Sequence, residues 1–279
     1  NTLLLIGAVY LAQLWIKAGL ALIRRCGERP PRLEDRSRVT VIQPVVSGDE
    51  RLQETLQAGL EELTGCAWVW VVDKTDTDAI RVCHVIRAAM PECDVLVLES
   101  EEPPPGTNPK LWKQAMALPL VCTELLAVID DDTQVPGPSF DLLISLLDDG
   151  ADLVTGLPCY LPARGLWSRM VAEFVNSAAS LTYLPATACS APVSINGMCY
   201  AVRTDYVRRL DLFTTTARCI TDDLAIAREI RRNRGSIVQT TRPHFISTTV
   251  PSARHYARLM HRWFVCTRIL VTHEPPVTA

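Results

Sequence analysis

Apolar and polar positions divide this chain into one long hydrophobic run, a stretch where short apolar runs alternate with helically spaced ones, and a less regular second half. From Thr2 to Ile23 the chain is almost wholly apolar, with Gln13 and Lys17 as its strongly polar side chains. About twenty such residues suffice to cross a bilayer as a helix. Val39–Val45, Trp68–Val72, Asp94–Leu98 and Leu126–Ile129 are short runs of the kind that form buried strands. Between them, Asp49–Leu63 carries leucines at 52, 56, 60 and 63, and the segments 79–90 and 110–119 also read as helices. Strands and helices alternating at this spacing predict a parallel sheet with right-handed crossovers. Ligands of such sheets sit beyond the carboxyl ends of the strands.

Beyond the fourth strand, Val135-Pro136-Gly137-Pro138 reads as loop. Asp152–Gly156 reads as a strand, and Leu166–Leu184 as a helix whose apolar face carries Trp167, Met170, Phe174 and Tyr183. The run 193–202 reads as a strand broken at the turn dipeptide Asn196-Gly197. Helices are expected over 222–232 and 253–270, the latter rich in Arg and aromatic residues, with a strand at 237–240. No internal repeat or low-complexity segment is present.

A chain of 279 residues with 48% hydrophobic content can bury a sizeable core. The net charge of -3 points away from nucleic acid as a partner. Ten cysteines form no CxxC pair and do not cluster with the five histidines at zinc-ligand spacing, which suggests a reducing compartment without disulfides or zinc. Arg24-Arg25 follow the apolar run at once, with further Arg at 29, 32, 36 and 38. By the positive-inside rule this flank is cytoplasmic. A signal peptide fits less well, because the charge follows the apolar run and no small-residue cleavage site is evident; a buried amphipathic helix is the remaining alternative. The expected organisation is a transmembrane helix (1–25), a basic cytoplasmic linker (26–38), an α/β domain (39–250), and an amphipathic interfacial helix with the start of a membrane-proximal region (251–279).

The candidate chemistry is acidic. Asp130-Asp131-Asp132 follow the fourth strand at once, and three adjacent anions repel unless a cation shares them. They suit a divalent metal that grips a phosphate, or are an acidic turn in water. Asp73 closes the second strand, as a turn cap or as an acceptor for a nucleotide base or ribose. The rigid loop from Pro103 to Pro109 delivers Lys110 to a helix N-terminus, where an anion is already favoured. Thr221-Asp222-Asp223 opens a helix; an N-cap explains one of these acids, and a general base explains the other. His261-Arg262-Trp263 stands on the late helix near Arg254, Arg258 and Arg268, suited to a diphosphate or to an anionic lipid surface.

In this order the pieces resemble the family 2-like inverting glycosyltransferases of GT-A fold, and most of all the ceramide glucosyltransferase group, from about Val39 to Pro276. Those that carry the resemblance are Gln43-Pro44, Asp73, Gly106-Thr107-Asn108-Pro109-Lys110, Asp130-Asp131-Asp132, Gly156-Leu157-Pro158, Asn196-Gly197-Met198, Thr221-Asp222-Asp223 and Arg262-Trp263. The resemblance implies a Rossmann-like, mostly parallel sheet flanked by helices. It also implies transfer of a hexose, with UDP-glucose the leading donor, to a lipid hydroxyl such as that of ceramide, a hopanoid or another bacterial lipid. Pro44, Asp73, Asn108, Lys110, Asp130, Arg262 and Trp263 would bind the nucleotide sugar, and Asn196, Gly197, Asp222 and Trp263 the acceptor. Asp130 and Asp132 would hold Mg²⁺ or Mn²⁺, and Asp223 would be the base. The superfamily's Gln or Arg three residues before the Arg-Trp pair is here Leu259, and the group carries further membrane helices beyond this region. A processive polysaccharide synthase shares the aspartates and fold, but it carries the full motif that Leu259 interrupts. A haloacid-dehalogenase phosphatase wants Thr or Val where Gln134 stands. A non-catalytic nucleotide-sugar or lipid-binding module would not need Asp223.

Overall fold

The computed structural model describes residues 2–28, 30–161 and 164–273. Arg29 and the end of the expected membrane-proximal segment, 274–279, lie outside the described residues. Strands β1 (Val39–Val45), β2 (Ala67–Asp73), β3 (Val95–Ser100), β4 (Leu125–Ile129), β5 (Thr133–Gln134), β6 (Leu153–Tyr160), β7 (Cys199–Arg203) and β8 (Ile237–Ile246) join in one sheet of order β3-β2-β1-β4-β7-β6-β8-β5. The first four in that order are parallel, as the alternation of strands and helices requires. β7 runs antiparallel to both its neighbours, β6 and β8 pair in parallel, and β5 pairs antiparallel with β8. The sheet is therefore mixed.

The helices are α1 (Thr2–Gly27), α2 (Leu52–Glu62), α3 (Thr77–Ala89), α4 (Pro109–Ala117), α5 (Gly137–Asp148), α6 (Leu166–Cys189), α7 (Thr204–Leu210), α8 (Leu212–Thr216), α9 (Asp222–Arg232) and α10 (Ala253–His273). Successive strand residues face opposite sides of the sheet, and each side has its own core. Val39, Val41, Trp68, Trp70, Leu125 and Ala127 pack with Leu56 and Leu60 of α2, Ile86 of α3 and Phe140 and Ile144 of α5. Ile42, Val69, Val71, Leu126 and Val128 face Leu111 of α4, Phe213 of α8 and Ile226 and Ile230 of α9. A third cluster joins Tyr160 and Ile246, at the far ends of β6 and β8, to Val171 of α6 and Met260 of α10.

Several expectations are revised. The stretch at Val135–Pro138 leads directly into α5, because Pro138 occupies the first turn, where a missing N–H costs nothing. The 193–202 strand is reduced to β7, with Asn196-Gly197 lying in the turn before it. β8 continues to Ile246, past the expected end of that strand at Thr240. The basic linker is not free: Asp35 caps a short turn at Arg36–Arg38, and both arginines of that turn are paired with the domain. At its other end Glu28 accepts the backbone N–H and the hydroxyl of Thr241 at 2.6 Å each. α1 itself has no buried residue and is long and apolar enough to cross a membrane. Leu166, Met170 and Phe174 of α6 and Phe264 and Val265 of α10 are also exposed.

The Arg36 guanidinium grips both oxygens of Asp141 at 2.8 and 3.1 Å and donates to the Glu62 carbonyl at 2.8 Å. The pair is buried (13% and 6% side-chain exposure). Removing one partner leaves the other as an uncompensated buried charge. Asp141→Ala is therefore expected to lower the unfolding free energy by about 3–5 kcal/mol, and the paired replacement Arg36→Met/Asp141→Leu by much less. Urea denaturation checks this; a loss under about 0.5 kcal/mol for Asp141→Ala, within the range of ordinary surface substitutions, contradicts it.

Candidate active site

Parallel strands that end together bring their following residues to one edge. Asp73 ends β2 and Asp130 follows β4. Because β7 is antiparallel to β4, it starts at that same edge, with Cys199 paired to Ile129. The turn Asn196–Met198 therefore lies beside the acid triplet, and the Asp130 N–H donates to the Met198 carbonyl at 3.0 Å. α4 is aimed into this edge by its cap. Asn108 Oδ1 accepts the Lys110 and Leu111 N–H groups at 3.0 and 3.4 Å, and Nδ2 donates to the Cys219 and Ile220 carbonyls at 3.3 and 3.4 Å. The cap thus ties the start of α4 to the segment leading into α9.

Lys110 is the centre of the resulting cluster. Its ammonium lies 2.7 Å from Asp130 Oδ1, 3.1 Å from Asp222 Oδ2 and 2.9 Å from the Gly197 carbonyl oxygen. Burial pulls its pKa down, but Asp130, Asp222 and Asp223 prevail and hold it well above the ordinary lysine value. Thr221 stands at the N-cap position of α9 without a side-chain cap bond. Asp222 and Asp223 are thus not explained as caps; they turn into the cluster. Asp223 accepts the Gly197 N–H, and its pKa is raised by burial first and the Asp222 charge second, with Lys110 pulling the other way. A Cβ on Gly197 would overlap Asp223 Oδ1 and come within 2.8 Å of Asp222 Oδ2, so only glycine lets the acids approach the turn this closely.

The triplet is split by direction. Asp132 is held at Oδ2 by the Thr248 hydroxyl (2.8 Å) and at Oδ1 by the Thr133 hydroxyl (3.2 Å). Asp131 instead takes the Val46 N–H at 2.7 Å, beside the end of β1. Burial is the largest reason that Asp130 is raised to about 6, Asp131 to about 7 and Asp132 above its usual range; their mutual repulsion adds to the shifts of Asp130 and Asp131. Asp130 and Asp132 offer the hard oxygen donors that Mg²⁺ or Mn²⁺ takes. Among the described residues no group of three or more His, Cys, Asp or Glu could hold a metal alone. A cation on Asp130 and Asp132 would need further oxygens, such as those of a phosphate, to complete its shell.

Two residues with no assigned role in the sequence reading complete this edge. Lys113, three positions after Lys110 on the same helix face, is 2% exposed, pairs with Asp73 at 2.9 Å and donates to the Val45 carbonyl at 3.1 Å. Gln43, also buried, donates to the Asp130 carbonyl at 3.1 Å and accepts from the Trp70 indole at 2.8 Å. Pro44 follows it, just past the residues of β1 that pair with β4. The amides of Asn108 and Asn196 are engaged within the protein. The amide of Asn108 is occupied by its cap and cross-links, and Asn196 is 3% exposed, its Oδ1 taking the Met198 N–H and a His244 ring nitrogen. Trp263 packs edge-on against Tyr160 (6.2 Å between centroids) and stacks on Phe174 (6.1 Å). Arg262 is exposed. It acts electrostatically on Tyr160, which also feels Asp132 and Asp130. Tyr183 hydrogen-bonds Asn196 and feels Asp223.

A profile of glycosyl transferase family 21 matches residues 2–275. No curated protein matches the chain. Among solved structures, the mannosyltransferase PcManGT of Pyrobaculum calidifontis, determined with GDP-mannose and Mn²⁺, superposes with a TM-score of 0.60 at 17% identity, covering 94% of this chain and 75% of that one. Glucosyl-3-phosphoglycerate synthase of Mycobacterium tuberculosis, determined with Mn²⁺, UDP and glucosyl-3-phosphoglycerate, is more distant, with a TM-score of 0.49 at 16% identity over 87% of this chain and 85% of that one. The fold is the GT-A fold of nucleotide-sugar transferases.

Asp131 carries a stability consequence. Its folded pKa of about 7 lies above the unfolded value, so between roughly pH 4 and 7 the native state binds a proton that the unfolded chain has released. Stability is therefore lost as pH rises through that window. Asp131→Asn keeps an acceptor for Val46 and removes the buried charge. Without metal it is expected to raise the melting temperature by about 2–4 °C at pH 8, the size of a 1 kcal/mol gain in a large domain, and to leave it unchanged at pH 4. Scanning calorimetry at the two pH values checks this; a lower melting temperature at pH 8 contradicts it.

Proposed function

Because this chain belongs to glycosyl transferase family 21, we propose that it is a membrane-bound inverting hexosyltransferase of the ceramide glucosyltransferase kind. It moves a sugar, with glucose the leading candidate, from a UDP-sugar to a lipid hydroxyl. The observation that carries this reading is the meeting of Asp223 and Asp222 from α9 with Lys110 from α4 and Asp130 from β4 at the carboxyl edge of the sheet. That edge is where ligands of such sheets bind.

Asp223 is the base. A carboxylate held above the ordinary range is suited to take a proton near neutral pH. It accepts the proton of the acceptor hydroxyl as that oxygen attacks the anomeric carbon on the face opposite the diphosphate. The bond from the anomeric carbon to the diphosphate oxygen breaks, and UDP leaves with the electron pair. One displacement inverts the configuration. Asp130 and Asp132 would hold Mg²⁺ or Mn²⁺, which would neutralise charge on the leaving diphosphate. Asp73, fixed by Lys113, receives the uridine end beside Pro44. Lys110 and Arg262 contribute positive potential. Asn108 acts by placing Lys110, Asn196 by placing Gly197, and Trp263 with Gly197 and Asp222 borders the acceptor.

The lipid acceptor and the membrane are supported by the exposed apolar α1 and by the exposed Leu166, Met170, Phe174, Phe264 and Val265 on α6 and α10. Arg24-Arg25 at the end of α1 support a cytoplasmic side for the catalytic domain, by the excess of positive charge that flanks on that side carry. Leu259, which interrupts the processive-synthase pattern, is partly buried and packs against the third core. A single transfer therefore fits better than polymer extension.

Purified protein incubated with UDP-sugars, Mn²⁺ and lipid extract is expected to yield a lipid-linked sugar. A polymer, or donor binding without turnover, contradicts the reading. Asp223→Asn is expected to lower transfer by about 10²–10⁴-fold, the range for loss of a general base, with donor affinity changed less than about threefold. Lost donor binding in that variant contradicts the role of base. Asp132→Ala is expected to weaken metal-dependent UDP binding; unchanged metal dependence removes Asp132 from the site.

A further inference from the structure

We propose, building on the catalytic reading above, that His244 is a positioning residue: a neutral imidazole beneath the site that locks the Asn196–Met198 turn in the conformation that gathers Lys110, Asp130 and Asp223. The turn acts through its main chain. The Gly197 carbonyl takes the Lys110 ammonium at 2.9 Å, the Gly197 N–H donates to Asp223, and the Met198 carbonyl takes the Asp130 N–H at 3.0 Å. Three groups central to the proposed chemistry thus lean on the main chain of two consecutive residues, Gly197 and Met198. The shape of that main chain matters more than any side chain it carries.

Asn196 sets that shape. Its Oδ1 closes the turn on the Met198 N–H at 3.2 Å, and its backbone N–H donates to the Thr155 hydroxyl at 2.9 Å. The second partner of Oδ1 is His244 Nε2 at 3.0 Å. An amide oxygen cannot donate, so Nε2 carries the proton and the ring is the Nε2–H tautomer. Nδ1 is then a bare acceptor, and it is buried without a partner. Burial, which lowers the pKa of this ring to about 3, agrees with a permanently neutral imidazole.

The sheet makes room for the ring. The β6–β8 register shifts between Thr155 and Leu157. Gly156 stands at that irregularity, and a Cβ on it would lie 2.5 Å from His244 Nδ1. Gln239 Nε2 satisfies the carbonyls at the shift, donating to Thr155 at 3.3 Å, Gly156 at 2.9 Å and Thr240 at 3.0 Å. A bulge, a side-chain-free position and a buried amide together admit a ring whose one polar engagement among the described residues is Asn196. An apolar side chain would fill the space without stranding Nδ1, a group that costs stability when unpaired. The imidazole is therefore explained by the bond to Asn196 rather than by packing.

The test compares His244→Leu, which fills the space without a donor, with His244→Gln, whose amide Nε2 can donate to Asn196 as the imidazole does. Leu is expected to lower kcat for UDP-glucose-dependent transfer by about 10–100-fold, the scale of a small misplacement of catalytic groups, while the donor KM stays within about threefold. It is also expected to speed hydrogen exchange across 195–199. Gln is expected to restore both readings to within about threefold of wild type. Gly156→Ala, which displaces the ring without removing it, is expected to lower kcat about tenfold with KM unchanged, and serves if His244→Leu does not fold. Wild-type kcat and exchange in His244→Leu, equal impairment of Leu and Gln, or unchanged kcat in Gly156→Ala overturns the proposal. If the wild-type protein turns over no UDP-sugar, the transferase reading falls by itself. The exchange measurement still decides: unaltered protection at 195–199 in His244→Leu overturns the positioning role.

Discussion

One ammonium holds this site together. Asp130, Asp222 and Asp223 come from two elements far apart in sequence, and like charges gathered in a half-buried edge repel. Lys110 offsets that repulsion, touching Asp130 and Asp222 directly and acting on Asp223 through space. Its own position is fixed by Asn108, whose amide caps α4 on one side and clamps the approach to α9 on the other. The loop, the helix and the acids thus form one electrostatic unit, and none of its charges is stable in place without the others.

The direction of β7 decides which of its turns meets the acids: a parallel strand in its place would bring its following turn to this edge, whereas antiparallel β7 brings the turn that precedes it. An antiparallel β7 starts where β4 stops, so the main chain of Gly197 and Met198 arrives beside Asp130 with its carbonyls and N–H free to bind Lys110, Asp223 and Asp130. Glycine at 197 is the condition for that approach, because any side chain there would occupy the space of the Asp223 carboxylate. On the other flank Lys113 and Gln43 perform the matching task for Asp73 and Asp130.

Much of this was legible in the chain. β1, β2 and β4 stand out because apolar residues on both faces make near-continuous runs, and acids stand directly where β2 and β4 end. Less legible was everything set by tertiary context. The direction of β7 is not encoded in its own residues. α5 hides behind a Pro-Gly-Pro segment that reads as loop, although proline is welcome in a first turn. Asn108 and Asn196 lie within recognisable motifs, yet their amides serve the backbone, a distinction that only burial and partners reveal. Arg36 and Arg38 read as part of a basic cytoplasmic flank, but Asp141 and Asp148, more than a hundred residues away, pair with them. His244 gave no local signal: its meaning depends on Asn196 across 48 positions of sequence.

The coupling between Lys110 and the acids is most directly measured by a double-mutant cycle of Lys110→Met and Asp222→Asn, read as turnover of UDP-sugar. If one ammonium organises the site by offsetting these carboxylates, Lys110→Met alone is strongly impaired and adding Asp222→Asn recovers part of the loss, so that the two changes are clearly non-additive. Simple addition of the two effects, or wild-type turnover in Lys110→Met, would contradict it.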